Sequence, residues 1–272
     1  MDGANGRGDR RQAKRLHRGA LGQVNQLPRK NSDGELPVGL TIEKTARNLA
    51  ALATSDSLRH LQAVVLGQWK HGDTFAKLAK HGIRPVDRLL FYGPPGNGKT
   101  MAAQWLAQQI GAPLYRVQCE TLVTAYSGQT AANVGRVMEW LALQSRSVVL
   151  FDEVETLFQS RTRMDGNIGR DLSSAMTVFW QSLDRWEAPT LFIMATNLPE
   201  HMDAALKSRI DLQIEFGPPT DEQVASVAAY WSEVLHEYGG HEWGASLAGR
   251  KWESFRALFH AVQSCVREFV TR

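Results

Sequence analysis

Eight consecutive residues, Gly93-Pro94-Pro95-Gly96-Asn97-Gly98-Lys99-Thr100, satisfy every fixed position of the pattern G-x-x-x-x-G-K-[ST]. Glycines let a backbone fold closely enough for successive amide N–H groups to converge on one anion, and a helix opening directly behind them adds the positive end of its dipole. Lys99 would neutralise the outer charge of a polyphosphate. Thr100 would offer its hydroxyl to Mg²⁺, a cation that takes oxygen ligands and keeps most of its waters. The binding set is therefore Gly93, Pro94, Pro95, Gly96, Asn97, Gly98, Lys99, Thr100 and the adjoining Met101, around a nucleoside triphosphate.

Splitting a triphosphate needs acids as well. About fifty residues further on, the apolar run Val148-Val149-Leu150-Phe151 ends in Asp152-Glu153. Asp152 would support the magnesium shell, and Glu153 would orient and deprotonate the attacking water. The pair has a plainer reading as the N-cap of the helix that follows.

The elements around these residues can be read from periodicity and punctuation. Thr41–Ala53, Ser55–Gly72 and Asp73–Gly82 each carry a helical pattern opened by Thr, Ser or Asp, a helical lead-in. Arg88–Tyr92 reads as a strand stopped by Gly-Pro-Pro, and Met101–Gly111 as a helix, so the glycine loop stands between strand and helix. Leu114–Gln118 is the next strand. A turn at Tyr126-Ser127-Gly128 then leads to a helix with Val134, Val137, Met138 and Leu141 on one face. Ser147–Glu153 and Thr190–Asn197 are continuous apolar runs, as expected of strands buried on both faces, and Leu172–Trp186 is helical between them. Asp211–Phe216 is a shorter strand. Alternation of strands and helices predicts an α/β protein, a doubly wound parallel sheet, spanning 37–217 with the lead-in; 218–272 is read as a small helical lid domain. In the last helix Phe255, Leu258, Phe259, Val262, Val266 and Phe269 form a core stripe.

Taken in order, GPPGNGKT, VVLFDE, IMATN and AALKSRID resemble the AAA+ ATPase family, in the branch that includes substrate-threading unfoldases, over about Gly82 to Pro219. The resemblance implies ATP and Mg²⁺ as cofactors and a ring homo-oligomer, with a hexamer as the expected size. It implies that His81-Gly82-Ile83-Arg84-Pro85 lines the adenine and that Asn197 is the polar sensor that places the lytic water; a bare Asn at a strand end is otherwise a turn residue. Arg209 matches the arginine finger that reaches a neighbouring subunit's nucleotide, the alternative being a surface Arg paired with Asp211. Where a second Arg is frequent in the family, only Lys207 is present. Tyr126 falls where threading members carry an aromatic pore residue that grips a protein substrate, with Ser127 in place of the usual hydrophobic residue. Packing of Tyr126 on its own domain is an equal alternative. Arg161, Arg163 and Arg170 could form a second pore loop or be solvated. Within the family the stretch is similar to small bacterial ATPases whose relatives are often associated with subtilisin-like peptidases, so a separate peptidase is a candidate partner. Arg250, Arg256 and Arg267 are candidates for a sensing arginine in the lid.

Composition narrows the remaining classes. Residues 1–30 hold eight Lys or Arg and two acids, leaving 23 basic against 26 acidic residues in the rest of the 272-residue chain. This Gly-rich, aromatic-free stretch, taken as residues 1–36, is read as a disordered basic tail. Its charge makes nucleic acid a second possible partner, and a nucleic-acid-dependent loader or helicase accessory the alternative function; a nucleotide-gated assembly switch is a third. No long apolar run and no leader pattern occurs, which points to the cytoplasm without a membrane span. Cys119 and Cys265 lack metal-ligand spacing and read as buried thiols. His236 and His241 are one residue too far apart for a metalloprotease helix, and glycines intervene.

Overall fold

The computed structural model describes residues 36–43, 56–124, 126, 128–158, 167–186, 188–202, 204–236, 247 and 249–270. The basic tail before residue 36, Ser127, Arg161, Arg163 and His241 lie outside them, as does most of the Tyr238–Gly249 loop.

Six strands form one sheet in the spatial order β1-β3-β4-β5-β2-β6. They are β1 (Leu40–Glu43), β2 (Arg88–Tyr92), β3 (Leu114–Gln118), β4 (Ser147–Asp152), β5 (Thr190–Thr196) and β6 (Leu212–Glu215). Every ladder from β3 to β6 is parallel. The edge strand β1 runs antiparallel to β3, in the register Leu40↔Val117 to Glu43↔Leu114. This corrects the sequence reading, in which Thr41 opens a helix. Thr41-Ile42 is β-branched, and pairing gives the outer N–H and C=O groups of β3 their partners, a gain that outweighs a weak helical pattern. Residues 44–53 of that expected helix lie outside the described residues.

The continuous apolar runs feed both faces of the sheet. Leu89, Phe91, Val148, Leu150, Leu191, Ile193 and Ala195 point to one side, where they pack with the helical segment 56–70 (α1), α3 (Lys99–Ile110) and the C-terminal helices. Leu90, Val149, Phe151, Phe192 and Met194 point to the other, against α5 (Gln129–Ala142) and α7 (Asn167–Asp184). The period of two puts alternate residues on opposite faces, so only an all-apolar strand can satisfy both layers. Short helices α2 (Gly72–Ala79), α4 (Cys119–Leu122), α6 (Glu155–Phe158) and α8 (Ala204–Lys207) make the connections.

Two helices follow β6, α9 (Asp221–His236) and α10 (Phe255–Val270). Val224, Val227, Phe255, Leu258 and Val262 join the cluster under α3 and Phe259 and Val266 pack partly buried against it, so these positions of the stripe expected on the last helix belong to the core; the side chain of Phe269 lies outside the described ones. Within α1, Gln62–Leu66 is wound as a π-helix. Gln68 then bridges backbones, its Nε2 donating to the Val64 carbonyl at 2.9 Å and its Oε1 accepting from the Val86 N–H at 2.6 Å. That fixes the chain just before β2. Cys119 is fully buried, and burial raises its thiol pKa well above the ordinary value. Cys265 is only half-buried, contrary to expectation.

Candidate functional site

Strand β2 lies between β5 and β6, and the glycine loop leaves its C-terminal end, where parallel α/β sheets bind ligands. Gly93, Gly96 and Gly98 have φ of 133°, 81° and 94°. A Cβ on Gly93 would collide with the Phe216 carbonyl oxygen, so β6 closes over the start of the loop. Gly98 caps α3, and Lys99 is its first residue. Lys99 is only 8% exposed. Its Nζ donates to the carbonyls of Gly93 at 2.5 Å and Pro94 at 3.0 Å, and to Asn197 Oδ1 at 2.8 Å. Burial lowers the ammonium pKa, and the negative charges of Asp152 and Glu155 partly restore it. An anion offered to this cradle would meet a desolvated cation.

The C-terminal helix rests on the same loop. Asn97, 2% exposed, accepts the Phe255 N–H on its Oδ1 at 3.2 Å, and the Gly96 carbonyl accepts the Arg256 N–H at 3.0 Å. Of the three arginines considered for the lid, Arg256 is therefore the one whose backbone the loop holds. Pro94 and Pro95 are exposed; Thr100 and Met101 are half-buried. His81–Arg84 is an exposed stretch, with Ile83 52% exposed.

Strand β4 brings the acids beside the loop, with β5 between β4 and β2. Asp152 Oδ2 accepts from Arg116 Nε at 3.0 Å and Nη2 at 2.6 Å. Glu153 is exposed and holds a left-handed backbone, φ 55°, the one described non-glycine residue that does. Such a conformation costs on the order of 1 kcal/mol and turns the side chain away from the strand direction. The Glu153 carbonyl accepts the Thr156 hydroxyl at 2.7 Å and the Thr156 N–H at 3.0 Å, which fixes the turn. Burial raises the Glu153 carboxyl pKa, Glu120, Asp152 and Glu155 raise it further, and Arg116 opposes them. Among the described residues neither carboxylate accepts a backbone N–H of α6, so the N-cap reading has no bond to support it.

Glu155 was not singled out by the sequence. It is 8% exposed; its Oε1 accepts the Asn197 N–H at 3.2 Å, while its Oε2 is buried without a partner among the described residues. Asn197 thus stands between Glu155 and Lys99, tying the ends of β4, β5 and β2 together. The available signal was the spacing D-E-x-E, which returns an acid to the strand end after one short turn. For Mg²⁺ the donor chemistry fits: a Thr100 hydroxyl and carboxylate oxygens are hard ligands. No group of three or more metal-binding side chains occurs among the described residues.

Two expected residues lie away from the loop. The Arg209 guanidinium sits over Trp180, 5.1 Å from the ring centroid, and its Nε is 3.9 Å from Asp184, both on α7. Asp211, the partner of Arg209 in the alternative reading, accepts the N–H groups of Asp87 and Arg88 at 3.0 and 2.9 Å. Tyr126 is 79% exposed between α4 and α5, so it does not pack on its own domain. The base of its loop is held by Asp171 of α7, 6% exposed, whose carboxylate accepts the N–H of Gly128 at 2.6 Å and of Thr130 at 3.3 Å. Arg170 is exposed.

A mostly parallel sheet with a glycine phosphate loop at the end of β2 and an acid pair at the end of β4 defines a P-loop nucleotide-binding domain. Residues 89–218 match the model of the ATPase family associated with various cellular activities (AAA), so this stretch of the chain is a P-loop ATPase domain of the AAA type. It is similar to an uncharacterized AAA family ATPase, y4kL, of Sinorhizobium fredii: 34% identical over 156 residues, 57% of this chain and 46% of that one. To the 26S proteasome regulatory subunit 8 homolog of Schizosaccharomyces pombe it is 31% identical over 184 residues, 66% of this chain and 45% of that one. To the cell division cycle protein 48 homolog of Archaeoglobus fulgidus it is 28% identical over 167 residues, 61% of this chain and 22% of that one. The chain spans less than half the length of each of these relatives. The crystal structure of the FIGL-1 AAA domain shares the fold, with a TM-score of 0.56, 23% identity, and coverage of 71% of this chain and 62% of that one.

Proposed function

We propose that this protein is an ATP-driven remodeller of protein substrates that works as a ring oligomer, with a hexamer as the expected size. The observation that supports it is the meeting of the phosphate loop, Asn197 and the Asp152-Glu153 pair at the ends of three neighbouring strands. Lys99 and the loop amides would hold the phosphates, with Thr100 and Asp152 on magnesium, whose chemistry there would be to neutralise developing phosphate charge. Glu153 would take a proton from the attacking water, and Asn197 would place that water. Arg209 would act on a neighbouring subunit's nucleotide. A finger of this kind is worth on the order of 10³ to 10⁵ in rate, so turnover would rise with assembly. Tyr126 would grip the substrate through its exposed ring, since an aromatic face contacts most side chains favourably. A relative named as a proteasome regulatory subunit agrees with protein substrates. Residues 218–272 would serve as a lid through the contacts of α10 with Gly96 and Asn97. A cytoplasmic location and a separate peptidase partner belong to the same reading.

Glu153→Gln tests it. Nucleotide binding should stay within about twofold, while turnover falls on the order of 10²-fold or more, the size of a lost general base. Wild-type turnover in this variant would remove the mechanism.

A further inference from the structure

Arg116 belongs to none of the motifs above, yet it makes the shortest ion pair at the site. It lies on β3 between β1 and β4. Both bonds that it gives Asp152 go to the same oxygen, Oδ2, at 3.0 Å from Nε and 2.6 Å from Nη2. The third nitrogen, Nη1, is 3.5 Å from Glu43 Oε1 on the edge strand. In the register Thr41 is opposite Arg116 and Gln118 is opposite Asp152, so Glu43, Arg116 and Asp152 step diagonally across three strands on one sheet face. The three side chains are 24%, 30% and 16% exposed, so water screens the group incompletely. A planar fork gripping one carboxylate oxygen fixes the rotation of the carboxylate and leaves the other oxygen facing away from the guanidinium. Oδ1 of Asp152 takes no hydrogen bond from the described residues.

We propose that Arg116 is a positioning residue for magnesium: it holds Asp152 by Oδ2 so that Oδ1 faces the metal's water shell, with Glu43 of β1 as its second anchor. This rests on reading Asp152 as the magnesium support. The edge strand thereby gains a role at a site that it does not touch. Partners that orient a metal's carboxylate are worth about 10- to 100-fold in metal affinity.

The test measures affinity of a fluorescent ADP analogue for the full chain with Mg²⁺ and with EDTA, and takes the ratio as the magnesium gain. Asp152→Asn should lower the gain; if it does not, the reading of Asp152 fails and the proposal with it. Given that loss, Arg116→Met should cut the gain about tenfold and leave affinity in EDTA unchanged, and it should have no further effect in the Asp152→Asn background. Glu43→Gln should cut it by a smaller factor. Arg116→Lys keeps the charge and loses the fork, so it should also reduce the gain, and it decides alone if Arg116→Met does not unfold cooperatively. A gain that is unchanged or larger in the Arg116 variants, or an equal loss of affinity in EDTA, would overturn the proposal.

Discussion

Glycine-to-alanine substitution should have opposite signs at two sites, Gly93 and Gly135, and the structure sets both magnitudes. At Gly93 the backbone φ is 133°, a region that L side chains avoid at a cost of about 1–3 kcal/mol. The added methyl also meets backbone, colliding with the Phe216 oxygen and approaching its carbon at 3.0 Å and nitrogen at 3.3 Å. No rotamer change relieves that. The end of β6 must move away from β2, where the Phe216 N–H donates to the Tyr92 carbonyl at 2.8 Å. Strain and overpacking together come to about 2–5 kcal/mol. For a chain of this size that corresponds to a fall in Tm of about 5–15 °C, readable by circular dichroism. In Gly135→Ala the helix α5 keeps its conformation and the methyl comes 3.7 Å from Val178 Cγ1, an ordinary contact. Replacing a mid-helix glycine then stabilises by about 0.5–1 kcal/mol, raising Tm by a few degrees. If Gly93→Ala melts within about 2 °C of wild type, β6 does not close on the loop as described, and the geometric account of the cradle is wrong.

Three further outcomes can be read separately. Tyr126→Ala should leave basal ATPase within about twofold, because the ring is 79% exposed and no bond ties it to the loop at Gly93, yet it should abolish ATP-driven unfolding of a tagged substrate; unchanged unfolding would retire the pore role. Asp171→Ala leaves the Gly128 and Thr130 N–H groups unpaired at the start of α5 and should cost about 2–3 kcal/mol in urea denaturation, with faster chymotryptic cleavage after Tyr126. Asp87 has its pKa pushed up to about 6, first by burial and then by the negative charge of Asp211, with Arg88 and Arg84 opposing. The folded state therefore holds this proton after the unfolded chain has released it, and stability falls as pH rises from about 4 to about 6. The side chain is 41% exposed, so solvent screening reduces the effect to on the order of 1 kcal/mol, and Asp87→Asn should be more stable than wild type by that amount near pH 8 and equal to it below about pH 3.5. A constant difference across that range would mean that Asp87 titrates normally.

What could be read from the sequence and what could not divide along the range of the interactions involved. Strands β4 and β5 were legible because each is an apolar run, and the burial on both faces that produces such runs is local information; β2 and β3 were legible as short stretches rich in apolar and aromatic residues set off by glycine or proline. The phosphate loop was legible for the same reason: Gly93, Gly96 and Gly98 carry the conformational requirement in their own residue type. The strand Leu40–Glu43 was missed because four residues next to a helical pattern carry too little periodicity, and what makes them a strand is the open edge of β3, more than seventy residues away. The alternative to the finger reading of Arg209 pairs it with a neighbour in sequence, Asp211, whereas its guanidinium lies against Trp180 and near Asp184. Glu155 and Asp171 show the same limit more sharply. Each is an acid on a helix, the residue type most often left in water, and each is instead buried because a backbone N–H from a distant segment meets it: Asn197 in one case, Gly128 and Thr130 in the other. A buried carboxylate is tolerable only with such donors in place. The side chains that hold the site together are thus set by strand order, which brings residues 93, 152 and 197 together at the ends of three neighbouring strands, and no local pattern announces them.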